Sequence, residues 1–286
     1  MPPRHRVAIA TCRQIPEPDV DEELLLDALR EAGITPSMLA WDDPEADFGA
    51  HDLAVLRSTW NYYENLDAFR AWIDRTAAIT RLFNPASILH RNVVKTYLRD
   101  LDARGIATVP TVWVGRGERV DVASVMDERG FSKIVVKPAV SAGSFRTASF
   151  TRDQASEAQT FLDDLTRDRD AMVQRWMTAV DDVGERSLVW IDGTFTHAIR
   201  KSPRFSGGVE KVSEEIAIAA DERAFGEAVL APMASALLYA RVDTIRDGAT
   251  LRIMELELVE PSLFLKQSPH ALRRLVAAIV RRSELG

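Results

Sequence analysis

The hydrophobic rhythm of this chain changes part-way along, and that change bounds the folds open to it. Up to Asn84-Pro85, short apolar strands alternate with amphipathic helices; from Ala171 onward, strands follow one another across tight turns. Val7 to Ala10 reads as a buried strand, and Asp21 to Ala32 carries helical spacing (Leu24, Leu25, Ala28, Leu29) that stops at Gly33. Leu53 to Leu56 is a second strand, and Asp67 to Ile79 a second helix with Phe69, Trp72 and Ile73 on one side. Such alternation predicts a parallel sheet, in which ligands gather beyond the carboxyl ends of the strands. Thr11-Cys12-Arg13 and Arg57-Ser58-Thr59-Trp60 fall at those ends.

Past the break, Val93 to Arg104 reads as a helix closed by Gly105, Thr111 to Val114 as a strand, and Asp121 as the cap of a short helix. Lys133 to Lys137 is an apolar strand, and Met172-Val173-Gln174 another. Arg186 to Ile191 and Thr194 to Ile199 flank the hairpin dipeptide Asp192-Gly193. A helix is expected over Glu222 to Leu238. A second hairpin is expected with arms Arg241 to Ile245 and Leu251 to Val259 around Asp247-Gly248, and a closing helix from Pro269 to Arg282.

The chain has 286 residues, enough for one large or two ordinary domains with a substantial core. Its formal net charge of -7 repels phosphate backbones and anionic membranes, so neither nucleic acid nor a membrane is expected as a partner. The single cysteine, Cys12, rules out an internal disulfide and a zinc site of clustered thiolates. With no His near it in sequence, it reads as an inert buried thiol. The apolar run at Val7 is too short for a signal peptide, and no stretch approaches a membrane span, so a cytoplasmic location is expected.

The segment Leu251 to Pro261 carries the densest chemistry. Alternation along a strand sends Glu255 and Glu257 to one face, and Asp243 on the preceding arm can face them. Three converging carboxylates repel unless neutralised, and hard oxygen ligands of that kind suit Mg²⁺, which takes its remaining ligands from water and substrate phosphates. A solvent-facing row of acids is the plainer alternative. Lys137 ends an apolar strand just before the small-residue loop Ala139 to Arg146, where an ammonium and backbone N–H groups can hold a phosphate together. There is no GxxxxGK, and Gly115-Arg116-Gly117 lacks a third glycine, so neither a P-loop nor a dinucleotide fingerprint is present. Any nucleotide site must use another design.

Taken in order, these pieces resemble the ATP-grasp superfamily, which includes glutathione synthetase and D-alanine–D-alanine ligase. Arg241-Val242-Asp243 resembles its Arg-x-Asp strand, and Glu255-Leu256-Glu257 its Glu-x-Asn metal motif, with Glu in place of Asn. Lys95 and Lys137 resemble its two phosphate lysines. Gln174-Arg175-Trp176-Met177 resembles the hinge that holds adenine, and Glu185 falls where a ribose-binding acid is expected. Trp41-Asp42-Asp43-Pro44, Leu56 to Tyr62, Gly184 to Ser187, His197 to Lys201 and Glu257 to Ser262 are similar to a bacterial subgroup. That subgroup contains the cyclo-ligase that closes O-ureido-D-serine to D-cycloserine. Arg91-Asn92-Val93-Val94-Lys95 departs from the subgroup's pattern, in which Trp-Asn and an acid precede the lysine.

The resemblance implies an α+β fold: an N-terminal α/β domain over residues 1–90 on the substrate side, then an ATP-grasp region over 91–286. That region divides into a central lobe over about 91–170 and a C-terminal lobe over about 171–286, the two clasping ATP. It implies ATP with Mg²⁺, or Mn²⁺ in its place, and a carboxylate activated as an acyl phosphate for attack by nitrogen. Asp243, Glu255 and Glu257 are then the expected metal ligands, and Arg241 and Lys201 the expected catalytic residues. Lys95, Lys137, Ser141, Ala142, Gly143, Ser144, Gln174, Arg175, Trp176, Met177, Glu185 and Met254 would contact the nucleotide. Arg13, Arg57 and Ser58 are the expected contacts of a small amino-acid-like substrate, since arginine's planar fork suits a carboxylate. The subgroup suggests a homodimer. A phosphotransferase on the same scaffold and a non-catalytic nucleotide-binding protein are the alternatives.

Overall fold

The computed structural model describes residues 5–182, 184–201 and 211–285. Strand β1 (Arg6–Thr11), helix α1 (Glu22–Glu31), β2 (Thr35–Ala40), β3 (Leu53–Ser58), α2 (Leu66–Ile79) and β4 (Arg81–Phe83) build the first sheet and its cover. Its strands run parallel in the order β2-β1-β3-β4, as the alternation predicts. β2 was not expected, because Thr35-Pro36-Ser37 carries no strand pattern. It lies at the sheet edge, where a proline is tolerated.

Helices α3 (Ala86–Asn92) and α4 (Tyr97–Ala103) follow. The single helix expected from Val93 to Arg104 is therefore shorter and starts later. The backbone N–H of Lys95 donates across the chain to the Ala139 carbonyl at 2.8 Å, which leaves Lys95 in a turn rather than a helix. The second sheet consists of β5 (Thr111–Val114), β6 (Lys133–Pro138), β7 (Ala148–Thr151) and β8 (Ala171–Arg175) in the order β5-β8-β6-β7, with helices α5 (Val122–Arg129) and α6 (Ala155–Thr166). Asp121 caps α5 by accepting from Ser124 N, as expected. β7 and α6 escaped the sequence reading; α6 follows a Thr151–Gln154 capping box, whose apolar residues begin only at Ala155.

A short helix α7 (Ala179–Asp182) leads into the third sheet, formed by β9 (Glu185–Ile191), β10 (Thr194–Lys201), β11 (Tyr239–Asp247) and β12 (Thr250–Glu257). All its pairings are antiparallel, in the order β10-β9-β11-β12. Helix α8 (Ala220–Leu230) stops well short of the expected Leu238, since Pro232 cannot continue a helix. Helix α9 (Pro269–Glu284) closes the described chain. Its Leu272, Leu275 and Ile279 share one core with Val7, Ile9 and Val55 of the first sheet and Val189 and Ile191 of the third. Asp21, 1% exposed, accepts from Leu265 N and Lys266 N and so ties the start of α1 to the segment before α9. No helix among the described residues is long and apolar enough to cross a membrane.

The free edge of β12 is covered group by group. Ile253 N donates to Ala107 O, Val109 N to Ile253 O, and Leu256 N to the Tyr97 hydroxyl at 3.0 Å. Asn92 takes the next two positions, donating to Leu256 O and accepting from Leu258 N, both at 2.8 Å. An edge capped in this way cannot slip or recruit another strand, so the side chains of β12 stay in register. Asn84 does the same work deeper in the core: it accepts from Leu238 N and donates to the carbonyls of Tyr239 and Leu258. Asn84→Ala would strand three buried backbone groups and is expected to lower unfolding free energy by about 2–4 kcal/mol. A urea melt with an unchanged midpoint would contradict this account of the interface.

Candidate active site

Four charged side chains meet on one face of the β11–β12 pair. The register sets Asp243 opposite Glu255 and Arg241 opposite Glu257, and the two-residue period sends all four to the same side. A bulge interrupts the ladder immediately afterwards: Thr244 pairs with Ile253, leaving Met254 as the extra residue. Ile253 stays in the core while Met254 turns toward the acids, which simple alternation along β12 would not permit.

The expectation that three carboxylates converge among themselves is not met. Among the described residues, no three acids stand close enough to make a metal cluster on their own. Each is instead interleaved with a cation. Lys137 Nζ donates to Glu255 Oε1 at 2.8 Å, and Lys95 Nζ lies 3.7 Å from Oε2. Arg241 forks onto Asp243, with Nε to Oδ1 and Nη2 to Oδ2 both at 2.9 Å, and also pairs with Glu257. Lys201 bridges Asp243 at 2.9 Å and Glu185 at 2.6 Å. The reason is electrostatic, because a buried carboxylate without a partner is far costlier than one paired and hydrogen-bonded.

The titration behaviour follows from the same packing. Burial would raise Glu255, but Lys137 and Lys95 outweigh it and hold the carboxyl at about 2. Burial would also raise Asp243, yet Arg241 and Lys201 keep it well below the usual carboxylate range. Burial pushes Glu185 up to about 8, with Lys201 pulling against the rise and Asp243 adding to it. Burial and Arg241 would lower Lys201, but Asp243 and Glu185 hold it above the ordinary lysine value.

These groups line one cavity of about 500 Å³ set between the three sheets. The second sheet and its loop contribute Lys137, Ser141, Ala142, Gly143, Ser144 and Gln174, followed by Arg175, Trp176 and Met177. Lys95 comes from the turn before α4, and Glu185, Lys201, Arg241, Asp243, Met254, Glu255 and Glu257 from the third sheet. Every nucleotide, metal and catalytic candidate from the sequence is thus brought to one place. Lys95 also donates to the Ser141 carbonyl at 2.9 Å and fastens the small-residue loop. That loop turns tightly, with Ser144 and Arg146 at φ of 62° and 46°. Phe145 reaches across to Tyr63 at a ring distance of 4.4 Å.

The three expected substrate contacts are placed elsewhere. Arg57 and Ser58 are buried and do not line the cavity. Arg57 Nη1 donates to the Pro261 carbonyl at 2.9 Å, its Nη2 has no partner among the described residues, and Ser58 Oγ donates to Thr11 Oγ1. Arg13 is exposed and lies outside the lining, its backbone N–H held by Asp42. Both arginines stand where a parallel strand ends, but β3 runs on through Ser58 and keeps Arg57 inside the core. The first sheet instead presents Trp60, Tyr62 and Tyr63, while Tyr97 and Glu260 complete the wall. Glu260 follows the end of β12, so strand alternation could not place it.

Residues 7–84 match the sequence family described as D-cycloserine synthetase DcsG, N-terminal domain. The cycloserine biosynthesis protein DcsG of Streptomyces lavendulae is 31% identical over 283 residues, which take in 92% of this chain and 94% of that protein. The crystal structure of D-cycloserine synthetase DcsG superimposes with a TM-score of 0.87 at 30% identity, covering 97% of this chain and 99% of the other. A D-alanine–D-alanine ligase from Bacillus anthracis, solved with ATP, shares the fold at a TM-score of 0.71 and 17% identity, over 98% of each chain.

The shifted carboxyls predict a stability profile of definite sign. Burial first, and then the charge of Glu257, push Glu260 up to about 8 from its ordinary 4.5. Between those values the folded state holds more protons than the unfolded chain, so stability falls as pH rises through that window. Glu255 acts oppositely, its contribution being lost as pH falls from about 4.5 toward 2. Buried His197, held neutral down to about 4, opposes this below its ordinary 6.5, so urea midpoints of the ligand-free protein should decline from about pH 6.5 to pH 8, and Glu260→Gln should flatten part of that decline. A variant profile parallel to wild type would refute the assignment.

Proposed function

The chain belongs to the DcsG family of ATP-grasp ligases and is itself an ATP-dependent ligase, and from that premise we propose that it activates a small amino-acid-like carboxylate as an acyl phosphate. A nitrogen nucleophile then attacks the acyl carbon, expelling phosphate and forming a C–N bond. Closure within one molecule, of the D-cycloserine type, is the version favoured by the likeness to DcsG. The observation that carries the reading is the meeting of Lys95 and Lys137 with the Arg241–Asp243–Glu255–Glu257 face inside one cavity.

Each group has a chemical part in it. Phosphoryl transfer requires positioning and charge neutralisation more than covalent help from the protein. Val135, Trp176, Met177, Val180 and Met254 offer an apolar end of the cavity for the adenine, and Glu185 an acceptor for the ribose. Lys95 and Lys137 present ammonium groups to phosphate oxygens, and the Ser141–Ser144 backbone can fold over the same oxygens. The donor set of Asp243, Glu255 and Glu257 is all hard oxygen on one face of the β11–β12 pair. It suits a divalent ion that needs only one or two carboxylates beside the nucleotide. Mg²⁺, if bound there, would supply positive charge to the phosphate groups. Arg241 and Lys201, held rigid by their acids, are placed to stabilise charge on the moving phosphoryl group. Phe145 and its loop exclude the water that would otherwise hydrolyse an acyl phosphate. In this reading residues 1–90 form the substrate side, and 91–286 the region that clasps nucleotide.

The test is ADP release from MgATP across pools of D- and L-amino acids and O-substituted serines. Turnover should depend on a particular amino acid, stop on chelation of the divalent ion, and return with added Mg²⁺. The double variant Glu255→Gln/Glu257→Gln should lose about 10³-fold or more. ADP release that needs no amino acid, or survives in the double variant, would overturn the reading; a phosphorylated product without a C–N bond would make the protein a phosphotransferase.

A further inference from the structure

The segment that follows β12 is held at four consecutive carbonyls. The Tyr239 hydroxyl donates to Val259 O at 2.8 Å, and Trp60 Nε1 to Glu260 O at 3.0 Å. Arg57 Nη1 donates to Pro261 O at 2.9 Å, and Arg241 Nη1 to Ser262 O at 3.3 Å. The donors come from the first and third sheets, so the segment's path is set where the two meet. Arg57 is thus a positioning residue, acting through the backbone it grips rather than on a ligand.

Such bracing is informative because of what it presents. Glu260 lines the cavity, yet its carboxyl makes no ion pair or side-chain hydrogen bond to another described residue. Asp243, Glu255, Glu257 and Glu185 in the same cavity each have a cation within contact distance. Glu260 is also half-buried beside aromatic neighbours. Trp60 holds its carbonyl, and the buried Tyr62 feels its charge. A fixed, partly desolvated carboxyl without an ion-pair partner holds negative charge poorly until a cation completes it. Aromatic rings in the same lining favour an organic ammonium over a metal ion.

We propose that Glu260 receives the α-ammonium group of the substrate and thereby selects amino acids over plain carboxylic acids. The assignment rests on the ligase reading and specifies the substrate class of that same site. It also orients the substrate: with its ammonium on Glu260, its carboxylate turns toward Lys95 and Arg241, cations of the same cavity whose charge reaches Glu260. The ligand group is the same whether the nitrogen nucleophile is on the same molecule or on a second one.

Paired probes test it: the amino acid that drives ADP release best, and its des-amino counterpart. Wild type should prefer the amino acid by about 100-fold or more in kcat/KM, as a site built around one polar group does. Glu260→Gln should raise KM for the amino acid about 30-fold or more and shrink that preference below about 10-fold. Glu260→Asp, which keeps the charge, should retain most of the preference. MgATP affinity, measured by calorimetry, should stay within about 3-fold in both variants, separating a lost contact from a lost fold. A Glu260→Gln enzyme that still rejects the des-amino acid, or a wild type that never did, would overturn the assignment while leaving the ligase reading intact. Loss of MgATP affinity along with KM would move Glu260 into the nucleotide site and equally overturn it. No ADP from any amino acid, despite MgATP binding, would remove both readings together.

Discussion

The arrangement depends on a face of buried charge that must balance itself. Asp243, Glu255 and Glu257 project from adjacent strands into a partly desolvated space, where like charges alone would force protonation or unfolding. Arg241, Lys201, Lys137 and Lys95 offset that repulsion and hold Asp243 and Glu255 ionised, and they come from three separate parts of the chain. Lys137 arrives on the second sheet, Lys95 in a turn between two helices, and Arg241 and Lys201 on the third sheet itself. Removing one member of such a buried pair costs about 3–5 kcal/mol, so the ion pairs also bind the second sheet to the third. The residues proposed to handle phosphate are therefore the ones that hold the cavity walls in register.

The rest of the architecture keeps that face still. β12 is an edge strand, and an unprotected edge could slip by one residue and turn its acids away from the cavity. Ala107, Val109, Asn92 and Tyr97 occupy its outward backbone groups one after another. Asn84 and the shared core under α9 then fix the first sheet against the third. This explains why buried asparagine, usually a costly residue, is acceptable twice here. Both side chains satisfy backbone groups that a strand end leaves open.

The end of the cavity toward the first sheet follows a different logic. No arginine from the first sheet reaches it; aromatic rings do, and one of them meets Phe145 on the loop fastened by Lys95. The small-residue loop is thus tied at one end to Lys95 and at its tip to Tyr63 beside the first sheet.

Much of this was legible in the sequence. Periodicity marked the parallel sheet, the two hairpins and the closing helix. The order of Lys95, Lys137, Glu185, Arg241, Asp243, Glu255 and Glu257 pointed to residues that do share one cavity. These succeeded because alternation along a strand is local geometry, and because motif order survives whatever lies between. What tertiary structure alone decided concerns contacts made far along the chain. Arg57 is drawn 204 residues away to the Pro261 carbonyl and withdrawn from the ligand, and Lys95 leaves its helix for a bond to Ala139. A bulge turns Met254 into the cavity, and Glu260 gains its place only after β12 has ended. The sequence determined which chemical groups were available and which face of each strand they occupy. The packing of three sheets decided which charges neutralise one another, because long-range pairing depends on distances that no local pattern encodes.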